Sequence, residues 1–136
     1  MLKIYLAARY SRRNEMKKYR EILTKNYNAT VTSHWLDEKS DVTGGMGDEP
    51  DEFYWETAQI DFMDIEEAHV LVLFSEDPLI GVPRGGRNVE FGYALKCGKP
   101  IWVVGPKENV FHYRPRVEHF NTFDELLAKK FTGKKQ

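Results

Sequence analysis

The sequence predicts a single α/β domain in which helices cover both faces of a parallel sheet. Short apolar runs such as Leu2–Ala8 and His69–Phe74 alternate along the chain with longer segments of helical spacing. This alternation is typical of parallel strands joined by right-handed crossovers. It favours a flavodoxin-like, Rossmann-like sheet of five strands in the order 2-1-3-4-5. The loops after the first and third strands should then meet at the switch point, where ligands bind in such folds.

Five apolar runs with few charges are predicted to be the strands, since strands buried on both faces have this composition. In chain order they are Leu2–Ala8, Ala29–His34, His69–Phe74, Ile101–Gly105 and Val117–Phe120. The predicted helices run from Ser11 to about Tyr27, from Asp51 to Ala68, from Asn88 to Cys97 and from Thr122 to Leu127. Ser11, Asn88 and Thr122 are candidate N-caps, because their side chains can accept free N–H groups of a first turn.

The connecting segments differ in character. Residues 35–50 are polar and glycine-containing, which predicts a mobile loop or lid. Residues 75–86 should form a second long loop and residues 106–115 an irregular segment. Residues 131–136 should be a frayed basic tail.

Composition limits the function classes. The 136 residues suffice for one domain with a real core and are too few for two ordinary ones. Lys+Arg 20 against Asp+Glu 21 gives a net charge of -1, which offers no electrostatic case for binding nucleic acid or membrane. The single Cys97 excludes an internal disulfide and fits a reducing compartment. With no apolar run of transmembrane length and no signal-peptide pattern, we expect a soluble, cytoplasmic protein.

Several common site motifs are absent from the sequence. The stretch from Gly81 to Gly92 lacks the G-x-G-x-x-G spacing, Arg9 to Arg13 is not a phosphate-binding P-loop, and no G-x-S-x-G elbow occurs. The four histidines are widely spaced and Cys97 has no second thiol, so no metal site is predicted. No cofactor is expected.

Asp61 stands out in the second predicted helix. At about 100° per residue the helix has one apolar stripe that should meet the sheet, formed by Tyr54, Trp55, Ala58, Phe62, Ile65 and Ala68. Asp61 falls inside this stripe and Asp64 at its edge. An inward carboxylate must be paired, hydrogen-bonded or protonated. Asp61 is therefore either a proton donor or hydroxyl acceptor for a ligand, or a structural hydrogen-bonding group.

Glu90 is the second candidate, in the helix that follows a glycine-rich, basic loop. With Asn88 as the N-cap, Glu90 would lie in the first turn, where the helix macrodipole helps to keep it ionised. It leads a mostly apolar helix face, and Gly85 and Gly86 leave room for a ligand beside it. Glu90 is thus either a nucleophile or an ordinary acidic residue that stabilises a helix start.

Arginines follow the first strand and precede the third helix. Arg9 and its neighbours Ser11, Arg12 and Arg13 could cradle an anion at a helix N-terminus, with Arg84 and Arg87 on the other loop. They could equally form a solvated surface without a ligand.

Four pieces of the chain carry a wider similarity: residues 4–9, 31–34, 59–72 and 86–101. In this order and at these spacings they resemble the nucleoside 2-deoxyribosyltransferases and the related 2'-deoxynucleoside 5'-monophosphate N-glycosidases. The resemblance implies one such domain over residues 1–136 and a retaining double displacement at C1' of a deoxyribosyl group. Glu90 would be the nucleophile, Asp61 would hold the sugar or protonate the departing base, and Tyr5 would orient Glu90.

The resemblance also implies substrate contacts and an assembly. The implied contacts are Ala8, Arg9, Ser11, Asp77, Gly85, Gly86 and Arg87. Family members form dimers or larger assemblies in which a neighbour's loop completes the pocket, so Asn109 and His112 are candidates for a contribution to a second copy. The expected partners are a small nucleoside or nucleotide and further copies of the chain, without nucleic acid or membrane.

The chain departs from the family pattern in two places. Its loop 75–86 is longer and more basic than that of the transferases, and residues 35–50 have no counterpart. A 5'-phosphate bound by Arg9, Ser11 and Arg87 would favour nucleotide hydrolysis over base exchange. Base preference, phosphorylation state, transfer against hydrolysis and oligomer size stay open. The alternative function is a non-catalytic nucleotide-binding module of the same fold.

Overall fold

The computed structural model describes residues 1–38, 49–79 and 85–131, and its strands form one parallel sheet in the order β2-β1-β3-β4-β5. The α/β class and the strand order predicted from the sequence are confirmed. The strands are β1 (Leu2–Ala7), β2 (Ala29–Val31), β3 (Val70–Phe74), β4 (Ile101–Val104) and β5 (Val117–Phe120). The helices are α1 (Arg13–Asn26), α2 (Asp51–Glu67), α3 (Gly86–Lys96) and α4 (Phe123–Lys130).

The helices divide between the two faces of the sheet. Tyr19 of α1 stacks on Phe74 of β3 at 5.2 Å and on Phe123 of α4 at 4.2 Å, so α1 and α4 share one face. Tyr5 of β1 is in register with Leu71, three residues before Phe74, and therefore points to the opposite face. That face is covered by α2 and α3. Every residue of β3 and β4 is buried, as expected for strands covered on both sides.

Two helix starts differ from the predicted ones. Ser11 lies within a short 3-10 helix, Tyr10–Arg12, and α1 begins after it without a side-chain cap. α3 begins at Gly86 instead of Asn88, because Gly85 takes a left-handed conformation with φ 89° that ends the preceding loop. The predicted cap Thr122 is confirmed, since its hydroxyl accepts the Glu125 N–H at 3.1 Å.

The predicted loop at residues 35–50 begins with ordered structure instead. Residues His34–Asp37 form a 3-10 helix in which Trp35 and Leu36 are buried, and Trp35 Nε1 donates to the Leu6 carbonyl at 2.9 Å. Burial of these two apolar side chains orders the start of the segment, although the residues that follow are mostly polar. The rest of that segment, residues 39–48, lies outside the described residues, as do Arg84 and residues 132–136.

α2 turns a different face to the sheet than its apolar spacing predicts. Trp55 and Ala58 are exposed, whereas Asp64 and Ile65 are buried. An inward Asp64 is accommodated because its carboxylate accepts the backbone N–H of His34 at 2.8 Å. The outward side of α2 consequently carries exposed apolar residues, such as Trp55 and Met63, among its acidic ones. None of the helices in the described ranges combines the length and the apolarity that a membrane crossing requires.

Candidate active site

The candidate site forms where α3 and α2 meet the middle of the sheet. Tyr5 of β1 is fully buried, and its hydroxyl donates a hydrogen bond to Glu90 Oε2 of α3. The contact joins residues 85 positions apart, so it depends on the packing of α3 across β1 and β3. The structure thus brings together two of the three residues that the resemblance implies for catalysis.

The third residue, Asp61, lies on the inward side of α2 beside this pair. Phe62 of α2 stacks on Tyr93 of α3 at 4.2 Å, which fixes the two helices side by side. Among the described residues, Asp61 Oδ1 is buried and lacks a hydrogen-bond partner. A buried carboxyl oxygen without a partner is costly unless the group is protonated or a ligand satisfies it.

Burial and neighbouring negative charges raise the pKa values of both carboxyls. Burial is the larger cause for Glu90 and raises its pKa to about 8, with the charge of Asp61 adding to the rise and the Tyr5 hydrogen bond opposing it. Burial also raises the pKa of Asp61 to about 7, with smaller contributions from Glu38 and Asp64. The pKa of Tyr5 lies well above its ordinary value, because of burial and of the Glu90 charge.

The structure removes the premise of the prediction that the helix macrodipole helps to keep Glu90 ionised. Because α3 begins at Gly86, Glu90 lies beyond the first turn, where the influence of the helix terminus has declined. The desolvation of the Glu90 carboxylate, which raises its pKa, outweighs the remaining influence of the helix terminus. Two coupled carboxyls with pKa values near neutrality can hold one proton between them, which is the arrangement that acid–base and nucleophilic catalysis by a carboxyl pair requires.

The sequence did not predict three ionisable residues as members of the site: Glu38, Asp64 and His34. Asp64 Oδ1 lies 2.7 Å from His34 Nδ1, and the Asp64 carboxylate is buried while the His34 ring is largely exposed. The charges of Glu38 and Asp64 both contribute to the raised pKa of Glu90. A signal was available for Asp64, because its three-residue distance from Asp61 puts both on one helix face. None was available for Glu38 and His34, which the chain brings in from the end of β2.

The arginines predicted to form an anion cradle mostly have carboxylate partners. Arg12 pairs with Glu15 at 2.7 Å and with Glu76 at 2.9 Å. Arg9 lies 3.8 Å from Glu76, and Ser11 is exposed. Arg9 and Ser11 are therefore better placed than Arg12 to meet an anion at the carboxyl edge of β1.

Arg87 points into the protein. Its Nη2 donates to Glu108 Oε2, and its side chain is 2% exposed. In this position a phosphate at Arg87 would have to compete with a buried carboxylate. The phosphate contact implied by the resemblance stays a prediction.

The remaining predicted contacts lie at the same edge of the sheet or near it. Ala8 is buried directly after β1, and Asp77 is exposed in the loop after β3, where its Oδ1 accepts the Leu79 N–H at 2.9 Å. No described atom lies within 4 Å of a Cβ placed on Gly85 or Gly86, so this start of α3 is open to close approach. Their roles as substrate contacts stay predictions.

The two residues predicted to reach a second copy differ in exposure. Asn109 is half-buried and caps the 3-10 helix Val110–Tyr113 by accepting the Phe111 N–H at 3.0 Å. His112 is fully buried within its own chain, where its Nδ1 accepts the Glu108 N–H at 3.1 Å. A side chain in that position offers no surface to a partner, because the 3-10 helix turns it inward.

A metal centre finds no support in the described ranges, where no three His, Cys, Asp or Glu side chains come together to hold an ion.

Comparison with known proteins gives a fold relationship. No protein-family model matches the chain, and no curated protein sequence matches it. Among solved structures, the fold is similar to that of the CMP N-glycosidase BcmB of Clostridium botulinum, with a TM-score of 0.57 and 20% sequence identity. The match covers 94% of this chain and 97% of that chain. At this identity the similarity shows the shared α/β fold.

Proposed function

We propose that the protein cleaves the N-glycosidic bond of a 2'-deoxynucleoside or its 5'-monophosphate. The observation that carries the proposal is the hydrogen bond from Tyr5 to Glu90 beside the unpartnered carboxyl oxygen of Asp61. A buried hydroxyl–carboxylate pair next to a second carboxyl whose pKa lies near 7 suits bond cleavage at a sugar carbon. The similarity in fold to an N-glycosidase agrees with this reaction class.

In the proposed reaction the Glu90 carboxylate attacks C1' while the C1'–N bond breaks. Asp61 donates its proton to the departing base, and Tyr5 holds the attacking carboxylate in place. The glycosyl ester on Glu90 is then cleaved by water, giving a free sugar or sugar phosphate, or by a second base, giving an exchanged nucleoside. Asp61, now ionised, accepts the proton of the incoming group, as the acid of a retaining glycosidase does.

The reaction is tested by product analysis. The protein is incubated with deoxynucleosides, deoxynucleotides and the corresponding ribonucleotides including CMP, each with and without a second free base, and the products are separated by chromatography. Free sugar or sugar phosphate identifies a hydrolase, and a new nucleoside identifies a transferase. We expect Glu90→Gln to lower turnover by at least about 10³-fold, on the scale of losing a catalytic group.

Two outcomes would overturn the proposal. The first is unchanged turnover in Glu90→Gln. The second is the absence of turnover with every substrate while a nucleotide still raises the melting temperature, which would identify a binding module instead.

We also propose that a 5'-phosphate is held at Arg9 and Ser11. Arg12 is engaged by two carboxylates and Arg87 by one, whereas Arg9 has a contact of 3.8 Å with Glu76. Arg9→Gln should raise KM for a monophosphate by about tenfold, the worth of one charge-assisted hydrogen bond at a wet site, and leave KM for the nucleoside unchanged. Equal effects on both substrates would exclude a phosphate contact at Arg9.

A second copy of the chain is the partner that the exposed apolar surfaces favour. On α2, Trp55 is 65% exposed among exposed acidic residues such as Glu52 and Glu56. In the 3-10 helix Val110–Tyr113, Phe111 is 59% exposed. The exposed charged residues on either side of this helix, Lys107, Arg114 and Arg116, are all basic. Exposed apolar side chains flanked by charges of opposite sign are typical of protein interfaces. Sedimentation should show an oligomer that Trp55→Glu dissociates; a monomeric parent protein would contradict this.

A further inference from the structure

A buried ion pair joins the second residue of α3 to the segment that follows β4. Arg87 Nη2 donates to Glu108 Oε2, and the two side chains are only 2% and 9% exposed. Two charges withdrawn from water to this degree contribute little net stability, because desolvation offsets their attraction. Stability alone therefore does not explain why this pair is placed beneath α3.

Glu108 makes two further contacts that tie α3 to its surroundings. Its Oε1 accepts the Glu76 N–H at 3.2 Å, and its own N–H donates to His112 Nδ1 at 3.1 Å. The His112 ring in turn lies 5.0 Å from the ring of Phe91, on the inner side of α3. The Glu108 junction, comprising Glu108 with Arg87, Glu76 and His112, thus connects the start of α3 to the loops after β3 and β4.

Among the described residues, few other side-chain contacts fix the start of α3. Its N-cap is Gly85, which provides no side-chain hydrogen bond, and its first residue is Gly86. Two glycines in succession allow the backbone more freedom than any other pair. Arg87 is the first side chain that can anchor the helix, and Glu90 follows it by three residues, or about 4.5 Å along the helix axis. A shift of Arg87 would be transmitted directly to Glu90.

We propose that the Arg87–Glu108 pair is a positioning device that holds the Glu90 carboxyl against the Tyr5 hydroxyl. Arg87 and Glu108 act through the first turn of α3 and are positioning residues. The catalytic meaning of this role rests on the proposed function. The role also differs from a phosphate contact at Arg87, because it affects the chemical step with every substrate, whereas a phosphate contact affects the binding of monophosphates.

The test removes both charges together. In Arg87→Met/Glu108→Leu no unpaired charge is left behind, so the fold should be retained, as it often is when a buried pair is replaced by apolar residues. Arg87→Lys keeps the charge with a single donor group and is the milder variant to use if the double variant does not fold. Glu118→Gln/Lys130→Met is the control for removing an ion pair elsewhere, because it removes a more exposed pair of 2.7 Å between β5 and α4.

Two measurements follow for each folded variant. We expect kcat to fall by on the order of tenfold to 100-fold with every substrate, while KM changes by less than about twofold. The NMR titration of the Glu90 δ-carbon, identified by its loss in Glu90→Gln, should shift from about 8 by roughly one unit or more, because a displaced carboxyl loses both its burial and its Tyr5 hydrogen bond. The control should change neither quantity.

The outcomes separate this inference from the proposed function. If the wild-type protein turns over no substrate but the Glu90 titration moves in the double variant, the positioning role stands and the proposed function fails. An unchanged Glu90 titration or a wild-type kcat in the folded double variant would overturn the positioning role. A rise in KM confined to monophosphates, with kcat unchanged, would also overturn it and assign Arg87 to the phosphate.

Discussion

Replacing Glu90 by Gln should stabilise the protein at alkaline pH and leave its stability unchanged at acidic pH. The pKa of Glu90 is raised to about 8 in the folded chain from an ordinary value of 4.5. The folded state therefore keeps a proton that the unfolded chain releases between these values, and stability falls as pH rises through that window. Gln mimics the protonated carboxyl in size and keeps an oxygen that can accept from Tyr5, but it cannot ionise.

The magnitude follows from the pKa difference. At about 1.4 kcal/mol per unit, a rise from 4.5 to about 8 sets an upper limit near 5 kcal/mol. Half-burial and coupling to Asp61 reduce this, so we expect a gain on the order of 2–3 kcal/mol at pH 8.5 and a difference near zero at pH 4. Urea unfolding followed by circular dichroism at both pH values measures the two differences.

The exposed Glu56 of α2, the helix beside α3, provides the control. Glu56→Gln removes an acidic group from solvent and should change the stability by less than about 0.5 kcal/mol at either pH. Equal stability changes for Glu90→Gln at the two pH values, or destabilisation at pH 8.5, would refute the conclusion that Glu90 is held protonated by burial.

Two further substitutions test the surroundings of this carboxyl, and a third tests the packing after β4. Tyr5→Phe removes the hydrogen bond that favours ionised Glu90. The acidic limb of the pH–rate profile should therefore move to higher pH, and kcat should fall by about 10–100-fold. An acidic limb that does not move would exclude the orienting role of Tyr5. Asp64→Asn keeps an acceptor for the His34 N–H but removes a charge that raises the pKa of both Asp61 and Glu90. The acidic limb should therefore move to lower pH. A move to higher pH, as in Tyr5→Phe, would contradict the effect of the Asp64 charge. Gly105→Ala should destabilise the fold by about 1–3 kcal/mol, as measured by urea unfolding. The reason is that Gly105 has φ 120° and a Cβ there would lie 2.5 Å from Ser75 Oγ. Gly92→Ala is the control, because a Cβ on Gly92 meets open space.

The sheet was predictable from the sequence because its evidence is local. Runs such as Val70–Phe74 are wholly apolar, and their alternation with helical segments leaves few topologies that obey the rules for parallel crossovers. The orientation of α2 was not predictable in the same way. A carboxylate counts as polar in any pattern, yet Asp64 faces inward because His34, some 30 residues earlier, supplies its hydrogen bonds. Such long-range satisfaction of a buried polar group leaves no mark on helical periodicity.

The site shows the same division. Local features singled out Asp61 and Glu90, namely an inward helical position and a glycine-rich helix start, whereas only the family resemblance pointed to Tyr5. The proton affinities of these groups could not be predicted from the sequence, because burial and neighbouring charges act through space. The macrodipole argument for an ionised Glu90 depended on a helix beginning at Asn88, and the actual beginning at Gly86 removed its premise.

Both carboxyl pKa values are raised towards neutrality, which sets a condition that any substrate must meet. In the folded chain burial favours the protonated form of Glu90, whereas the proposed reaction needs an ionised Glu90 and a protonated Asp61. A ligand meets this condition only by interacting more favourably with ionised Glu90 than with the protonated form. Positive charge developing at C1' does this, and the Tyr5 hydroxyl already favours charge on Glu90. Asp61 Oδ1 has no partner among the described residues. Expelling water should therefore favour the protonated form of Asp61 over its ionised form. Closing the site around a nucleoside should therefore move the proton from Glu90 to Asp61.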